Sequence, residues 1–318
     1  MNVPFAFADR LRAPMIVAPM FLVSCPAMAV PICRAGIIGS YPAHSTRSRE
    51  IFADWLVETE QGLAAAEAAG ERPAPYAVNL VVHKTNPRME GDLELCIEHK
   101  VPIILTSKGA PPDVFDQIHA YGGLAFHDVA SKRHAEKALE AGADALIAVC
   151  GGAGGHTGTI NPFALVNEIR EITDKPIILA GGMSHGKDIL AAQAMGACMV
   201  YMGTRFIATE ESLAPAAYHQ ALIEGGANDV YYTAALDGAP ANFLAPSMVA
   251  AGIDLDELAV TRPGEIIAAQ KVKERYKGIW SAGHGVGATK AVEPASVLSQ
   301  QIVEEYETAV GEMRQLLA

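Results

Sequence analysis

Eight times along this chain, a short run of apolar and β-branched residues is followed by a stretch with helical spacing. The runs are PMIVAPM (14–20), GIIGSYP (36–42), YAVNLVV (76–82), VPIILTS (101–107), LAFHDV (124–129), ALIAVC (145–150), PIILAG (176–181) and CMVYMG (198–203). Runs of this continuous apolar kind suit strands covered on both faces, the environment of a parallel sheet. Parallel neighbours cannot be joined by a hairpin and need a crossover, which the intervening helices supply. SKRHAEKALEAGA and GKDILAAQAMGA show such helices, with Ala and Leu three and four residues apart. The Ala-Gly pair at 141 and 142 and the glycine at 196 stop them before the next strand. Eight strand–helix repeats predict the α/β class and, within it, a (β/α)8 TIM barrel. A doubly wound dinucleotide-binding sheet is the alternative, weakened because no GxGxxG follows the first run.

The repeat breaks after about residue 213. Residues 214–275 read as helices without a clear β-strand, around a loop-like centre, AALDGAPANFLAPSM. Helical periodicity returns in ASVLSQQIVEEYETAVGEMRQLLA, a final helix expected to cover the barrel. The expected organisation is a TIM barrel of residues 1–213 and 276–318, with a small, mainly helical substrate or lid domain at 214–275. No linker or low-complexity tract parts the two, so the insert is expected to pack on the barrel.

Half of the 318 residues are hydrophobic and the formal net charge is −12. That charge argues against a nucleic-acid surface and against docking on an anionic membrane, though not against a small anionic ligand. No apolar run is long enough to span a bilayer, and the opening MNVPFAFADRLRAPM lacks a signal-peptide pattern. Five cysteines, an odd number without CxxC spacing, suit a reduced cytoplasmic protein. No histidine pair has metal spacing and the cysteines do not cluster, so no metal site is expected. A homodimer is compatible with the sequence, which does not set the oligomeric state.

In a barrel of this kind the active site is built at the C-terminal ends of the strands. ILAGGMSHG (178–186) and VYMGTRF (200–206) end the seventh and eighth, where phosphate sites commonly form from backbone N–H groups and a helix N-terminus. Gly181 and Gly182 allow close backbone approach, and Gly203 and Thr204 add N–H donors and a hydroxyl. The same glycines also suit plain tight turns. After the sixth run, residues 151–156 hold four glycines, an alanine and His156. Imidazole is matched to proton transfer near neutral pH, and the glycines let a flat ligand approach beside it.

Pro19, Met20 and Phe21 end the first run and offer backbone amides and a soft thioether to an aromatic ring system, or serve as ordinary core. Asn79 is polar within an apolar run and needs a partner, which a ligand's amide edge can supply. Asp128, beside His127 at the end of the fifth run, either pairs with a neighbour or faces the ligand. KGIWSAGHGVGATK (277–290) returns a glycine-rich turn after the insert. There Trp280 and His284 close over the pocket, or Trp280 is buried packing. The histidines at 44, 83, 99, 119, 134, 185 and 219 fall in helical or loop stretches and are expected to be mostly solvated.

Taken in order, AGGHTG, AGGMSHG, MGTRF and GIWSAGHGVG resemble the nitronate monooxygenase family, formerly called 2-nitropropane dioxygenase, over essentially the whole chain. MGTRF and AGG alone are shared with other FMN barrels. The resemblance implies FMN bound non-covalently in the barrel mouth. Its phosphate would lie on Gly181, Gly182, Gly203 and Thr204 and its isoalloxazine near Pro19, Met20 and Phe21, with contacts from Gly154 and Ala180. His156 would be the catalytic histidine, a base on a neutral nitroalkane or a hydrogen-bond partner of an anionic nitronate. The flavin carries the redox chemistry from nitronate to O2, yielding a carbonyl compound and nitrite.

Two positions depart from the family pattern. Asp128 stands where several relatives carry a cationic or amide residue near the flavin's N1–C2 edge, and His284 stands where many have glutamine. Related FMN barrels reduce enoyl-acyl carrier proteins or oxidise NADH with quinones, and these are the rival activities. An inosine-monophosphate-dehydrogenase-like reading would need a nucleophilic cysteine in the loop after the sixth strand, but Cys150 belongs to the strand itself. A non-enzymatic flavin-binding or sensor module would leave His156 without a task.

Overall fold

The computed structural model describes residues 3–236, 238–260 and 278–318. Each expected run supplies a parallel strand: β1 (Met15–Val17), β2 (Ser40–Pro42), β3 (Ala77–Val81), β4 (Ile103–Ser107), β5 (Leu124–Val129) and β6 (Ala145–Val149). A two-residue strand, β7 (Gly155–His156), stands outside this sheet, and β8 (Ile177–Ala180) and β9 (Met199–Met202) complete it. The order is β1-β9-β8-β6-β5-β4-β3-β2. A parallel bridge between Ile16 and Ile38 brings the two edges together. The fold is a TIM barrel.

Alternation along each strand sends successive side chains to opposite faces. Ile16, Ile38, Ala77, Leu105, Phe126, Ile147, Ile178 and Met199 meet in one interior cluster drawn from all round the barrel. The N-terminal segment closes one end of it. Phe5 lies against Phe126 with ring centroids 4.9 Å apart, and Val3 and Leu11 join the same cluster. The C-terminal mouth is thereby left as the end where a ligand can enter.

Helices cover the outer face. The final helix, Ala295–Leu317, lies on Gly186–Ala194, burying Leu298, Ile302 and Tyr306 in a cluster with Ile189 and Ala192. Burying side chains of this size stabilises by about 1.5–3 kcal/mol each. Gly186 is required there, because a Cβ would run into the backbone of Ile302 and Tyr306.

The insert differs from its expected character. Besides the helices Ala216–Glu224, Ala245–Ala250 and Leu255–Val260, it contains two strands, β10 (Val230–Thr233) and β11 (Ala241–Leu244). They pair antiparallel, and β11 also pairs with β7 of the glycine loop. These strands escape a sequence reading because each has four residues, they flank a turn-rich stretch, and their third partner is 85 residues away in the chain at its nearest register pair, Ala241 with His156. Residues 261–275 of the expected insert, and the expected return to the barrel at 276, lie outside the described residues. No helix among the described residues is long and apolar enough to cross a membrane.

Candidate active site

The glycine loop after β6 is tied down carbonyl by carbonyl. Thr157 Oγ1 donates to the Cys150 carbonyl at 2.8 Å, the His284 N–H to the Gly152 carbonyl at 2.9 Å, and Asn242 Nδ2 to the Ala153 carbonyl at 2.7 Å. The Thr157 N–H reaches the Pro240 carbonyl at 3.1 Å. A loop this rich in glycine has high conformational entropy to lose, and these bonds hold it in one course. His156 ends up exposed at the mouth, opposite Ala241 in the β7–β11 pairing.

Three glycine-bearing loops converge beside it. A Cβ on Gly154 would lie 2.8 Å from the Gly283 nitrogen and 3.2 Å from Thr204 Oγ1. Those two atoms are themselves joined, Gly283 N–H donating to Thr204 Oγ1 at 2.9 Å. Gly181 has φ +127° and packs against the Cys150 and Gly151 carbonyls, whereas Gly182, φ +77°, has nothing within 4 Å of its absent side chain. Gly203 lies against Ala18 and the Met20 sulfur.

The helix after β8 does not offer the free N-terminus that the phosphate reading allows. Asp188 Oδ2 accepts from the Ser184 and His185 N–H groups at 2.8 and 2.9 Å. Glu305 Oε2 accepts from the Gly186 N–H at 2.6 Å. Carboxylates satisfy the orphan donors of that helix end, so an anion there would meet negative charge.

Across the mouth, Phe21 is 56% exposed and stacks on His44, ring centroids 5.0 Å apart. His44 is half-buried rather than solvated, and its Nδ1 is buried without a hydrogen-bond partner. Burial, then the charges of Lys108 and Arg88, push its imidazole down to about 4. Asn79 finds a protein partner, its Nδ2 donating to the Leu105 carbonyl at 2.8 Å. Trp280 stacks on Tyr218 at 5.2 Å, while His284 is exposed and lies over Gly152. Cys150 is buried, and burial pushes its thiol up to about 12, so it is no thiolate nucleophile.

On β5, alternation sends Phe126 and Asp128 inward and His127 outward. His127 Nδ1 lies 2.7 Å from Thr106 Oγ1, its ring edge-on to Phe115. Among the described residues Asp128 makes no ion pair, and its Oδ1 is buried without a partner. Burial pushes its carboxyl up to about 7. Among the described residues no group of three or more His, Cys, Asp or Glu side chains is arranged to hold a metal ion.

The pattern of the nitronate monooxygenase family matches residues 10–305. The chain belongs to that family. A nitronate monooxygenase of Paraburkholderia phytofirmans is 28% identical, with 95% of this chain and 94% of the relative covered. Among solved structures, FabK from Thermotoga maritima superposes with a TM-score of 0.81 at 25% identity, covering 99% of this chain and 100% of that one. Nitroalkane oxidase from Streptomyces ansochromogenes superposes with a TM-score of 0.80 at 22% identity, covering 97% and 100%, a likeness of fold.

In this nitronate monooxygenase family member, two mouth residues escape a sequence reading. His44 follows β2 by two residues and could have been found by the strand-end rule that selected the others. Asn242 carries no local signal, since its role depends on β11 meeting the glycine loop.

Proposed function

We propose that this chain is an FMN-dependent oxidoreductase of the nitronate monooxygenase type, oxidising an alkyl nitronate with O2 to a carbonyl compound and nitrite. The observation that carries the reading is His156, exposed at the barrel mouth on a pinned glycine loop beside the glycine turns of β8 and β9. The residues present fit FMN. Gly182 opens onto empty space in a left-handed conformation, which leaves its backbone approachable by a phosphate.

In this reading Gly181, Gly182, Gly203 and Thr204 hold the phosphate, and Pro19, Met20, Phe21, Gly154 and Ala180 border the flat ring. Bound FMN supplies the electron transfer from nitronate to O2. His156 takes the α-proton of a neutral nitroalkane, or donates a hydrogen bond to a nitronate whose carbon is already deprotonated. Trp280 and His284 border the substrate, and the interlocked loops limit water beside it.

The likeness to FabK, at 25% identity over the whole of both chains, supports a second reading. That reading is an NAD(P)H-dependent reductase, of the enoyl-acyl carrier protein or NADH:quinone kind, on the same flavin site. Anaerobic stopped-flow mixing with propionate 3-nitronate and, separately, with NADH separates the two. Rapid flavin bleaching by the nitronate is expected. Fast bleaching by NADH alone would overturn the monooxygenase reading.

A further inference from the structure

Asp128 is a carboxyl that, among the described residues, makes no ion pair and keeps one buried oxygen without a hydrogen-bond partner. Its neighbours can be taken strand by strand. From β4, Leu105 faces the interior, and beyond the strand end the charge of Lys108 is felt by His44. From β6, Ile147 and Val149 are apolar. On β8, Ala180 is apolar, and on β3 Asn79 donates an amide N–H to the Leu105 carbonyl. From β9 comes Tyr201, whose phenol, already pushed up by burial, is pushed further upward by Asp128. His127 turns away to Thr106.

One carboxyl oxygen, Oδ1, is sealed from solvent with no donor. An ionised carboxylate would leave charge on that buried oxygen uncompensated, a costly state that a protein relieves by keeping the proton. We propose that Asp128 is carried as the neutral acid and donates a hydrogen bond from its other oxygen to an acceptor atom of the flat ligand in the mouth. The identity of that ligand as FMN rests on the reading above. The donor is lost when the proton leaves. Burial that raises the carboxyl to about 7 sets where this happens.

The sign follows from linkage. If only the protonated form donates, ligand binding raises the acid's pKa further, and affinity is full below the free protein's pKa. It then falls by up to about tenfold per pH unit above it until the bound-state pKa is passed. An ionised Asp128 accepting an N–H from the ligand would give the opposite slope.

The test is FMN binding by the full chain, wild type and Asp128→Asn, from about pH 5.5 to about pH 8.5. The FMN phosphate and the histidines titrate alike in both, so the ratio of dissociation constants isolates Asp128. The ratio of wild type to variant is expected to rise about tenfold or more across this range. A constant or falling ratio overturns the role of Asp128 alone. Absence of FMN binding by wild type at every pH overturns the flavin reading and this role with it. Should Asp128→Asn fail to fold, 13C-aspartate NMR of the wild type decides. One carboxyl titrating near neutrality, and higher with FMN, supports the proposal, and every aspartate titrating in the ordinary range overturns it.

Discussion

His156 sits opposite Ala241 in an antiparallel pair, so the histidine at the barrel mouth takes its position from a strand of the insert. The next residue of that strand, Asn242, reaches back to the Ala153 carbonyl of the same loop. The insert is therefore a wall of the site as well as an addition to the barrel.

Asn242→Ala removes the 2.7 Å bond to Ala153 and leaves a part-buried carbonyl without its donor. A loss of stability of about 1–3 kcal/mol is expected, read by thermal unfolding. Turnover should fall as well, because the glycine loop loses one of its ties. Unchanged kinetics in a folded variant would show that the insert does not position the loop.

Replacing His156 by alanine should leave FMN bound while turnover of a neutral nitroalkane drops by about 10²–10⁴, the usual contribution of a general base. Turnover of the corresponding nitronate should fall less, since no carbon proton has to be removed. Steady-state oxygen consumption on the two substrates measures both. Equal activity of variant and wild type on the nitroalkane would refute the assignment of the base.

Two glycines should respond differently to alanine. At Gly154 a Cβ meets backbone nitrogen and the Thr204 hydroxyl, so the converging loops must move apart and flavin retention should be lost. At Gly182 there is open space, and the cost is the left-handed conformation alone, about 1–2 kcal/mol. If Gly182 lines the phosphate cradle, its variant binds FMN more weakly while the barrel remains folded. Flavin content per protein and circular dichroism distinguish the outcomes.

His127 carries an acid liability. Burial holds its imidazole down to about 4 in the folded chain, against about 6.5 when unfolded. The unfolded state takes up a proton first, so stability is full above about 6.5 and falls as the pH drops towards 4. The slope from this group is up to about 1.4 kcal/mol per pH unit. Asp128 works in the opposite sense, because its raised carboxyl favours the folded state increasingly as the pH falls from about 7. His127→Gln, which can keep a hydrogen bond to Thr106, should shallow the acid loss. An identical pH profile of melting temperature in variant and wild type would contradict this.

The strand-end residues were legible because a parallel barrel leaves a local trace. Each run is apolar at nearly every position, and the residue that breaks it lies at the mouth by the geometry of the fold. That logic reached His156, Gly181, Gly182, Gly203 and Asp128, and would have reached His44. It could not see that Asn79 has a backbone partner on the next strand, nor that Trp280 stacks on Tyr218. Both depend on what stands alongside in space.

The sequence by itself determined the order of the barrel strands and the helices between them, because burial periodicity and turn chemistry are written within a few residues of each other. Tertiary structure alone decided what the residues at the barrel mouth meet. Glu305 occupies a helix end 119 residues earlier, β11 crosses from the insert to hold His156, and the strands around Asp128 bring it no cation. Charge compensation and strand pairing are long-range contacts, and they exist only once the chain has closed on itself.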